Sequence, residues 1–168
     1  MNTDLCFDYG RMKAIAIEDM NEIKRCLALS DFPSCEYTFP NLYIWADVYG
    51  TVWQIFNGHF YVHMPSIDEL LFPCSGDPVS IGELAAVSKG MRARSFSGTI
   101  AHVPPSYIAT HPELQEYFTA VPMGDDNDEY IYQTKSLAEL HGGKLSKKRK
   151  LIFQFERNFD NFEIKKIE

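Results

Sequence analysis

The sequence predicts an α+β fold in which helices flank a mixed β-sheet. Helix-periodic and strand-like segments alternate along 168 residues with no repeat and no long linker, and one sheet with packed helices is the economical way to bury their apolar faces. A hydrophobic fraction of 45% and a charged fraction of 23% are ordinary for a globular protein. A chain of this length can form a core without disulfides or a metal.

The N-terminal third contains two predicted helices. The first runs from Ile15 to Leu29, because apolar residues recur there at steps of three and four, and we expect it to pack one stripe against the sheet. The second is aromatic and begins near Pro40, a residue suited to a first helical turn. It places Leu42, Trp45 and Tyr49 on one face.

A β-hairpin follows these helices. Two β-rich runs, Thr51 to Phe56 and Phe60 to Met64, are separated by Asn57-Gly58, a dipeptide that supplies the positive φ angles of a tight turn. A brief strand at Leu70 to Phe72 comes next.

Shorter elements continue the alternation. Ser80 can cap a helix that extends to about Ala93, and Pro104-Pro105 ends the strand after it. The remaining predicted elements are a strand at Thr99 to Val103, a helix at Pro112 to Phe118, a strand at Glu129 to Tyr132 and a helix at Leu137 to Leu140.

Several classes of protein and site are not supported by the sequence. We find no secretory signal and no apolar run near the roughly 18 residues that span a bilayer, so we expect a cytoplasmic protein. The four cysteines form no C-x-x-C pair, which favours buried free thiols. His59 and His63 share a strand face without a third ligand, so we expect ordinary surface or core roles and no metal.

Charge is divided unevenly along the chain. Residues 1–143 carry eight Lys or Arg against nineteen Asp or Glu, a net charge of −11, whereas residues 144–168 carry eight against four, a net charge of +4. Such an asymmetry indicates a charged partner.

The cations concentrate in a basic segment made of Lys144, Lys147, Lys148, Arg149 and Lys150. Gly142-Gly143 makes a turn before it, and Ser146 can cap a helix running to about Asn158. Each cation in a first helical turn is disfavoured by roughly 0.3–1 kcal/mol, because that end of the helix dipole is already positive. Backbone N–H groups, dipole and cations together favour an anion, so we predict that a phosphate-bearing ligand binds here.

The same helix is amphipathic. Leu151, Ile152, Phe155 and Phe159 fall on one side, and Lys148 joins them at the first turn, where its stem can pack while its ammonium reaches a groove.

Other interpretations of the basic segment remain open. It could be a solvated face paired with the acidic stretch Asp125, Asp126, Asp128 and Glu129. It is not a P-loop, because Leu145 follows Gly143-Lys144 where Ser or Thr is needed. The Gly142-Gly143 turn is only a weak echo of a coenzyme A pyrophosphate loop, so we predict no cofactor and keep an acetyltransferase as an alternative.

Landmarks in sequence order resemble one known family. The earlier landmarks are Asn41-Leu42-Tyr43 with Trp45 and Tyr49, Phe72-Pro73 with Gly76, and Asp128 with Tyr130 and Tyr132. The last is the pattern L-x-x-L-x-G-x-K-x-x-K-K-R, formed by Leu137, Leu140, Gly142, Lys144, Lys147, Lys148 and Arg149, with Phe155 after it. From about Phe39 to Phe159 the chain resembles the lysylphosphatidylglycerol synthetase C-terminal-domain-like family.

The resemblance implies two tandem acyltransferase-like lobes, of the kind found in Gcn5-related N-acetyltransferases, joined by a basic helix. Characterised members move an aminoacyl group from aminoacyl-tRNA to phosphatidylglycerol, which would place Lys147, Lys148, Arg149 and Lys150 on a tRNA backbone. Residues 1–143 would then form the N-terminal lobe, and residues 144–168 the linking helix and the start of an absent second lobe. Because transfer requires donor and acceptor to be held together, we expect no activity from this chain alone and name no catalytic residue.

Two further expectations concern surfaces. Tyr43, Trp45, Tyr130 and Tyr132 could line a pocket, although aromatic residues at such spacings also serve as core. A second lobe or a homodimer partner should cover an exposed apolar patch. The competing function is a non-enzymatic module that holds RNA or makes peripheral contact with an anionic lipid surface.

Overall fold

The computed structural model of the chain describes residues 6–29, 34–124, 132–159, 161–163 and 165. Packing divides the chain into two units, Met1–Gly124 and Asp125–Glu168. A sheet with its helices forms the first unit, and the described part of the second is helical.

A five-stranded sheet lies at the centre of the first unit, in the order β1-β2-β3-β4-β5. Its strands are β1 (Lys13–Ala14), β2 (Val52–Phe56), β3 (His59–Met64), β4 (Glu69–Leu71) and β5 (Ile100–Ala101). Neighbouring strands are antiparallel except for β4 and β5, which pair in parallel. The predicted mixed sheet is confirmed.

The predicted hairpin joins β2 to β3. Asn57 and Gly58 form its turn with φ angles of 51° and 84°, and Phe56 pairs with His59 across it. Such angles are strained for most residues but accessible to Asn and Gly, which is why this dipeptide specifies the turn.

Helices flank the sheet, as predicted. Those of the first unit are α1 (Met20–Leu27), α2 (Phe39–Ile44), α3 (Ala46–Tyr49), α4 (Ile81–Arg92) and α5 (Pro105–Thr110). Because strand side chains alternate between faces, Phe60 and Val62 pack with residues of α1 and α2 in one core. Tyr61 packs with Val87 and Met91 of α4 in the other.

Several elements differ from the prediction. The first α-helix begins at Met20, after a 3-10 helix at Ile17–Asp19, because the Asp19 carboxylate accepts the Ala16 N–H at 3.0 Å and fixes the chain there. The aromatic helix is broken at Trp45 into α2 and α3. β5 ends at Ala101, since His102 takes a φ of 57° and leaves the extended conformation.

The Pro104-Pro105 pair was predicted to end a strand, and it also begins a helix. Helix α5 begins at Pro105, because proline is favoured at the first helical position. The predicted helix at Pro112 is a 3-10 helix, Pro112–Glu116. In the predicted strand at Glu129 to Tyr132, Tyr132 has no strand conformation, and the other residues lie outside the described part of the chain.

The second unit contains α6 (Thr134–Glu139), a 3-10 helix (Gly143–Leu145) and α7 (Ser146–Asn158). The bounds of α7 confirm the predicted helix. Across the described ranges, no helix is long and apolar enough to span a membrane.

The cysteine prediction is only partly right. Cys74 is buried and Cys26 half-buried, but Cys6 and Cys35 are exposed. Cys6 lies outside the helices and strands, and Cys35 begins a surface 3-10 helix, so neither contributes to a packed face.

Candidate functional site

The basic segment lies on the first turns of α7 and on the 3-10 helix before it. Gly142 turns the chain with a φ of 86°, a conformation available to glycine at little cost. Four of the cations, Lys144, Lys147, Lys148 and Lys150, are exposed, whereas Arg149 is half-buried. The structure therefore brings the five predicted cations together at one helix start.

The first turn of α7 has neither a side-chain cap nor an acidic residue. Leu145 occupies the N-cap position, and Ser146 is already helical, with its N–H donating to the Gly143 carbonyl. The predicted capping role of Ser146 is therefore wrong. In the described part of the chain, neither a capping side chain nor a first-turn carboxylate meets the positive end of the helix dipole, which favours an external anion.

Arg149 is tied to the turn that precedes α7. Its Nη1 donates to the carbonyl oxygen of Gly142 at 2.8 Å and also to that of Leu140. A guanidinium has five N–H donors, so these contacts leave others for a ligand. Arg149 thus both holds the turn and adds charge.

Lys148 contacts an aromatic ring of the same unit. Its Nζ lies 5.7 Å from the centroid of the Tyr132 ring, within the range of a cation–π interaction. This contact places the ammonium beside one of the aromatic residues that the sequence marks as a candidate.

The three remaining cations of the basic segment, Lys144, Lys147 and Lys150, have no acidic partner among residues 132–159, 161–163 and 165. Ion pairs in this part of the chain use Lys135 and Lys165 instead. Asp125, Asp126, Asp128 and Glu129 lie outside the described residues, so the predicted pairing with the acidic stretch stays a prediction.

One side of α7 is apolar and exposed. Leu151 is 63% exposed, Phe155 45% and Phe159 57%, and the Phe155 and Phe159 rings lie 4.9 Å apart. Ile152 is also exposed, and none of the residues of α7 is buried. A contiguous apolar surface of this kind indicates an interaction site.

The predicted aromatic pocket stays a prediction. Tyr43 and Trp45 are exposed in the first unit, where Tyr43 stacks on Phe39 at 5.5 Å. Tyr132 is exposed in the second unit, and Tyr130 lies outside the described residues.

A buried polar cluster in the first unit has no counterpart in the predicted sites. The Glu83 carboxylate accepts from the Tyr61 hydroxyl at 2.7 Å and lies 2.8 Å from Nδ1 of His59, and it also accepts from Asn57. Burial, with the hydrogen bond to Glu83, raises the pKa of Tyr61. Because Glu83 stands four residues before Val87 on the buried stripe of α4, helical periodicity is the signal that could have found it.

The two histidines of β3 have core roles, one of the two roles expected for them. His59 contacts Glu83, and His63 Nδ1 lies 2.7 Å from the Tyr9 hydroxyl. In the part of the chain that the structure describes, no three His, Cys, Asp or Glu side chains are grouped as metal ligands.

The first unit also has a surface cleft of about 370 Å³. Its lining residues are Ser80, Ile81, Gly82, His111, Glu113, Glu116 and Tyr117. None of the predicted site residues belongs to it, and its two glutamates make it unsuited to an anion.

Comparisons with known proteins support both the fold and the family. A crystal structure of a conserved protein of unknown function from Bacteroides thetaiotaomicron VPI-5482 matches with a TM-score of 0.76 over 91% of this chain, at 19% sequence identity. The chain spans about half, 52%, of the length of that structure. A search of curated proteins finds no significant match. The family model described as phosphatidylglycerol lysyltransferase, C-terminal, matches residues 27–168. The chain therefore belongs to the phosphatidylglycerol lysyltransferase C-terminal family.

Proposed function

We propose that this chain is one lobe of an aminoacyl-transfer protein and that its basic segment holds phosphates of an aminoacyl-tRNA donor. Membership of a phosphatidylglycerol lysyltransferase family supports the class of reaction. The observation that carries the proposal is the start of α7, where exposed cations crowd an uncapped helix N-terminus.

The charges of this site fit a polyanion. Lys144, Lys147 and Lys150 are exposed, and Lys147 lies in the first turn of α7, where the dipole raises the cost of a positive charge. Phosphate oxygens would accept hydrogen bonds from these ammonium groups and relieve the repulsion between them. The unfavourable placement of the cations thereby becomes a source of affinity.

The proposed lobe comprises residues 1–143, with residues 144–168 as the linking helix, and has the acyltransferase-like architecture that the family resemblance implies. Two observations support a second lobe or a second copy. The structure of similar fold is about twice as long, since this chain spans 52% of it, and the apolar side of α7 is exposed. Donor and acceptor must be held together for transfer, so this chain alone is inactive.

Binding of aminoacyl-tRNA at low salt tests the donor half of the proposal. The double variant Lys147→Glu/Lys150→Glu should lose most of its affinity, measured by fluorescence anisotropy. Lys24→Glu/Lys89→Glu is the charge-matched control, because Lys24 and Lys89 are exposed in α1 and α4 of the first unit. Equal losses in both variants, or no binding by the wild-type chain, would contradict the proposal.

The second part of the proposal, that the chain is a single inactive lobe, is tested by measuring transfer of the aminoacyl group to phosphatidylglycerol vesicles. We expect the chain to bind aminoacyl-tRNA without moving the aminoacyl group to lipid. Transfer by this chain alone would overturn the single-lobe assignment while leaving the phosphate site intact.

A second candidate is a non-enzymatic module on an anionic lipid surface. It is favoured by the combination on α7 of cations with an exposed apolar side, which is typical of helices that lie in a membrane interface. Sedimentation with vesicles distinguishes this candidate from the tRNA-binding lobe. Binding to anionic phosphatidylglycerol vesicles but not to phosphatidylcholine vesicles, without binding of tRNA, would support the lipid module instead.

A further inference from the structure

Phe153 is the aromatic residue of α7 that lies apart from its apolar side. At about 100° per residue, Phe153 lies about 160° around the helix from Phe155. Its side chain is 67% exposed, more than any other phenylalanine among the large exposed apolar residues. The packing of the apolar side does not account for it.

The helical neighbours of Phe153 are mostly cations. Side chains three and four residues apart are adjacent on a helix surface, so Phe153 lies next to Arg149, Lys150 and Arg157, with Glu156 as the one acidic neighbour. An exposed ring framed by three positive charges is therefore a feature of the basic side of α7.

This arrangement selects among possible occupants. Covering Phe153 with an apolar protein surface or with lipid chains would remove the surrounding cations from water, which is costly unless they find anionic partners. A nucleic-acid strand offers both phosphates for the cations and a flat base for the ring. In a duplex the base faces are already stacked, so the occupant must contain unpaired bases.

We infer that Phe153 stacks on an unpaired base of an RNA strand whose phosphates are held by Lys150 and Arg157. The inference rests on the proposed function and deepens it, because it names the part of the RNA that the helix contacts. According to this inference, α7 contacts a single-stranded end or loop of the RNA, and Phe153 is a binding residue.

The test compares a short single-stranded RNA with an abasic oligomer of the same length and charge. Phe153→Ala should weaken RNA binding by about fivefold to a hundredfold, the range for loss of one stacked base, and leave abasic binding unchanged. Phe153→Trp should retain RNA affinity, and Phe153→Leu, which is apolar but has no ring, should behave like Phe153→Ala. Tyr117→Ala is the matched control, because Tyr117 is an exposed aromatic residue of the first unit.

The outcomes separate this inference from the proposed function. If Phe153→Ala leaves RNA affinity unchanged while Lys147→Glu/Lys150→Glu removes it, the stacking role is wrong and the phosphate site stands. The stacking role would also be overturned if the wild-type chain preferred duplex RNA. It would likewise be overturned if Phe153→Ala weakened binding to anionic vesicles but not to RNA. If the wild-type chain binds no RNA at low salt, both fail.

Discussion

Arg149 and Gly142 are joined by a hydrogen bond of 2.8 Å, which the guanidinium Nη1 donates to the glycine carbonyl oxygen. The same nitrogen also donates to the Leu140 carbonyl. This connection holds the start of α7 against the turn before it, so Arg149 differs from the lysines around it. Replacing Arg149 should alter local structure, whereas replacing Lys144, Lys147 or Lys150 should alter charge alone.

Arg149→Ala should therefore loosen the turn between α6 and α7. Loss of a hydrogen bond from a charged group costs about 1.5–3 kcal/mol, and amide hydrogen exchange across residues 140–150 should rise accordingly. Arg149→Lys keeps the charge but not the planar donor pair, so it should raise exchange nearly as much. Lys147→Ala is the control and should leave exchange unchanged. Unaltered exchange in Arg149→Ala would contradict the structural role.

The buried carboxylate of Glu83 should matter for stability of the first unit. Glu83→Ala would leave the Tyr61 hydroxyl and His59 without their acceptor inside the core, which should lower the free energy of unfolding by about 1–3 kcal/mol for each group left unsatisfied. Glu83→Gln, which retains an acceptor oxygen, should cost less. Urea unfolding measures both, with the exposed change Glu113→Ala as the control. If Glu83→Ala lowered the free energy of unfolding no more than Glu113→Ala does, the buried cluster would not stabilise the first unit.

His63 should make the stability of the first unit pH-dependent. Its side chain is fully buried, and this burial lowers its pKa despite the nearby Asp68 carboxylate. As pH falls below about 6.5, the unfolded chain takes up the proton more readily than the folded one, so the free energy of unfolding falls. The decline stops once the pH passes the lowered pKa of the folded state.

Urea unfolding between about pH 5 and pH 8 tests this effect of His63. His63→Gln should show a flatter pH profile than the wild type, whereas the exposed change His141→Gln should keep the wild-type profile. Identical profiles for the wild type and His63→Gln would argue against the assignment.

The apolar side of α7 should promote association. We expect concentration-dependent self-association in sedimentation velocity, since Leu151 and Phe155 are exposed. Leu151→Ser/Phe155→Ser should reduce it, and Ile67→Ser/Val121→Ser, which replaces exposed apolar residues of the first unit, should not. A wild-type chain that stays monomeric at every concentration would show that this surface needs no partner.

Local sequence signals predicted much of the fold. The turn residues Asn57 and Gly58 specify the hairpin, and the periodicity after Gly143 gives α7 with the bounds Ser146–Asn158. The break of the aromatic helix at Trp45 and the early end of β5 at His102 depend on backbone angles that tertiary packing selects. Residue periodicity does not encode those choices.

The charged residues of the candidate site were predictable from the sequence. The basic segment is visible in the sequence, and the structure brings its residues to one helix start. The hydrogen bonds of Arg149 to the turn were not predictable, because they depend on the positive φ of Leu140 and Gly142. Helical periodicity places Glu83 on the buried stripe of α4, but its partners Tyr61 and His59 lie on another element and were not predictable.

The salt dependence of RNA binding tests the central claim most directly. For single strands, the logarithm of affinity falls with the logarithm of salt concentration with a slope of about −0.7 per phosphate contact. The triple variant Lys144→Ala/Lys147→Ala/Lys150→Ala should therefore reduce the steepness of the wild-type slope by about two. A slope that is unchanged in this variant, or a wild-type affinity that does not depend on salt, would contradict phosphate binding by the basic segment.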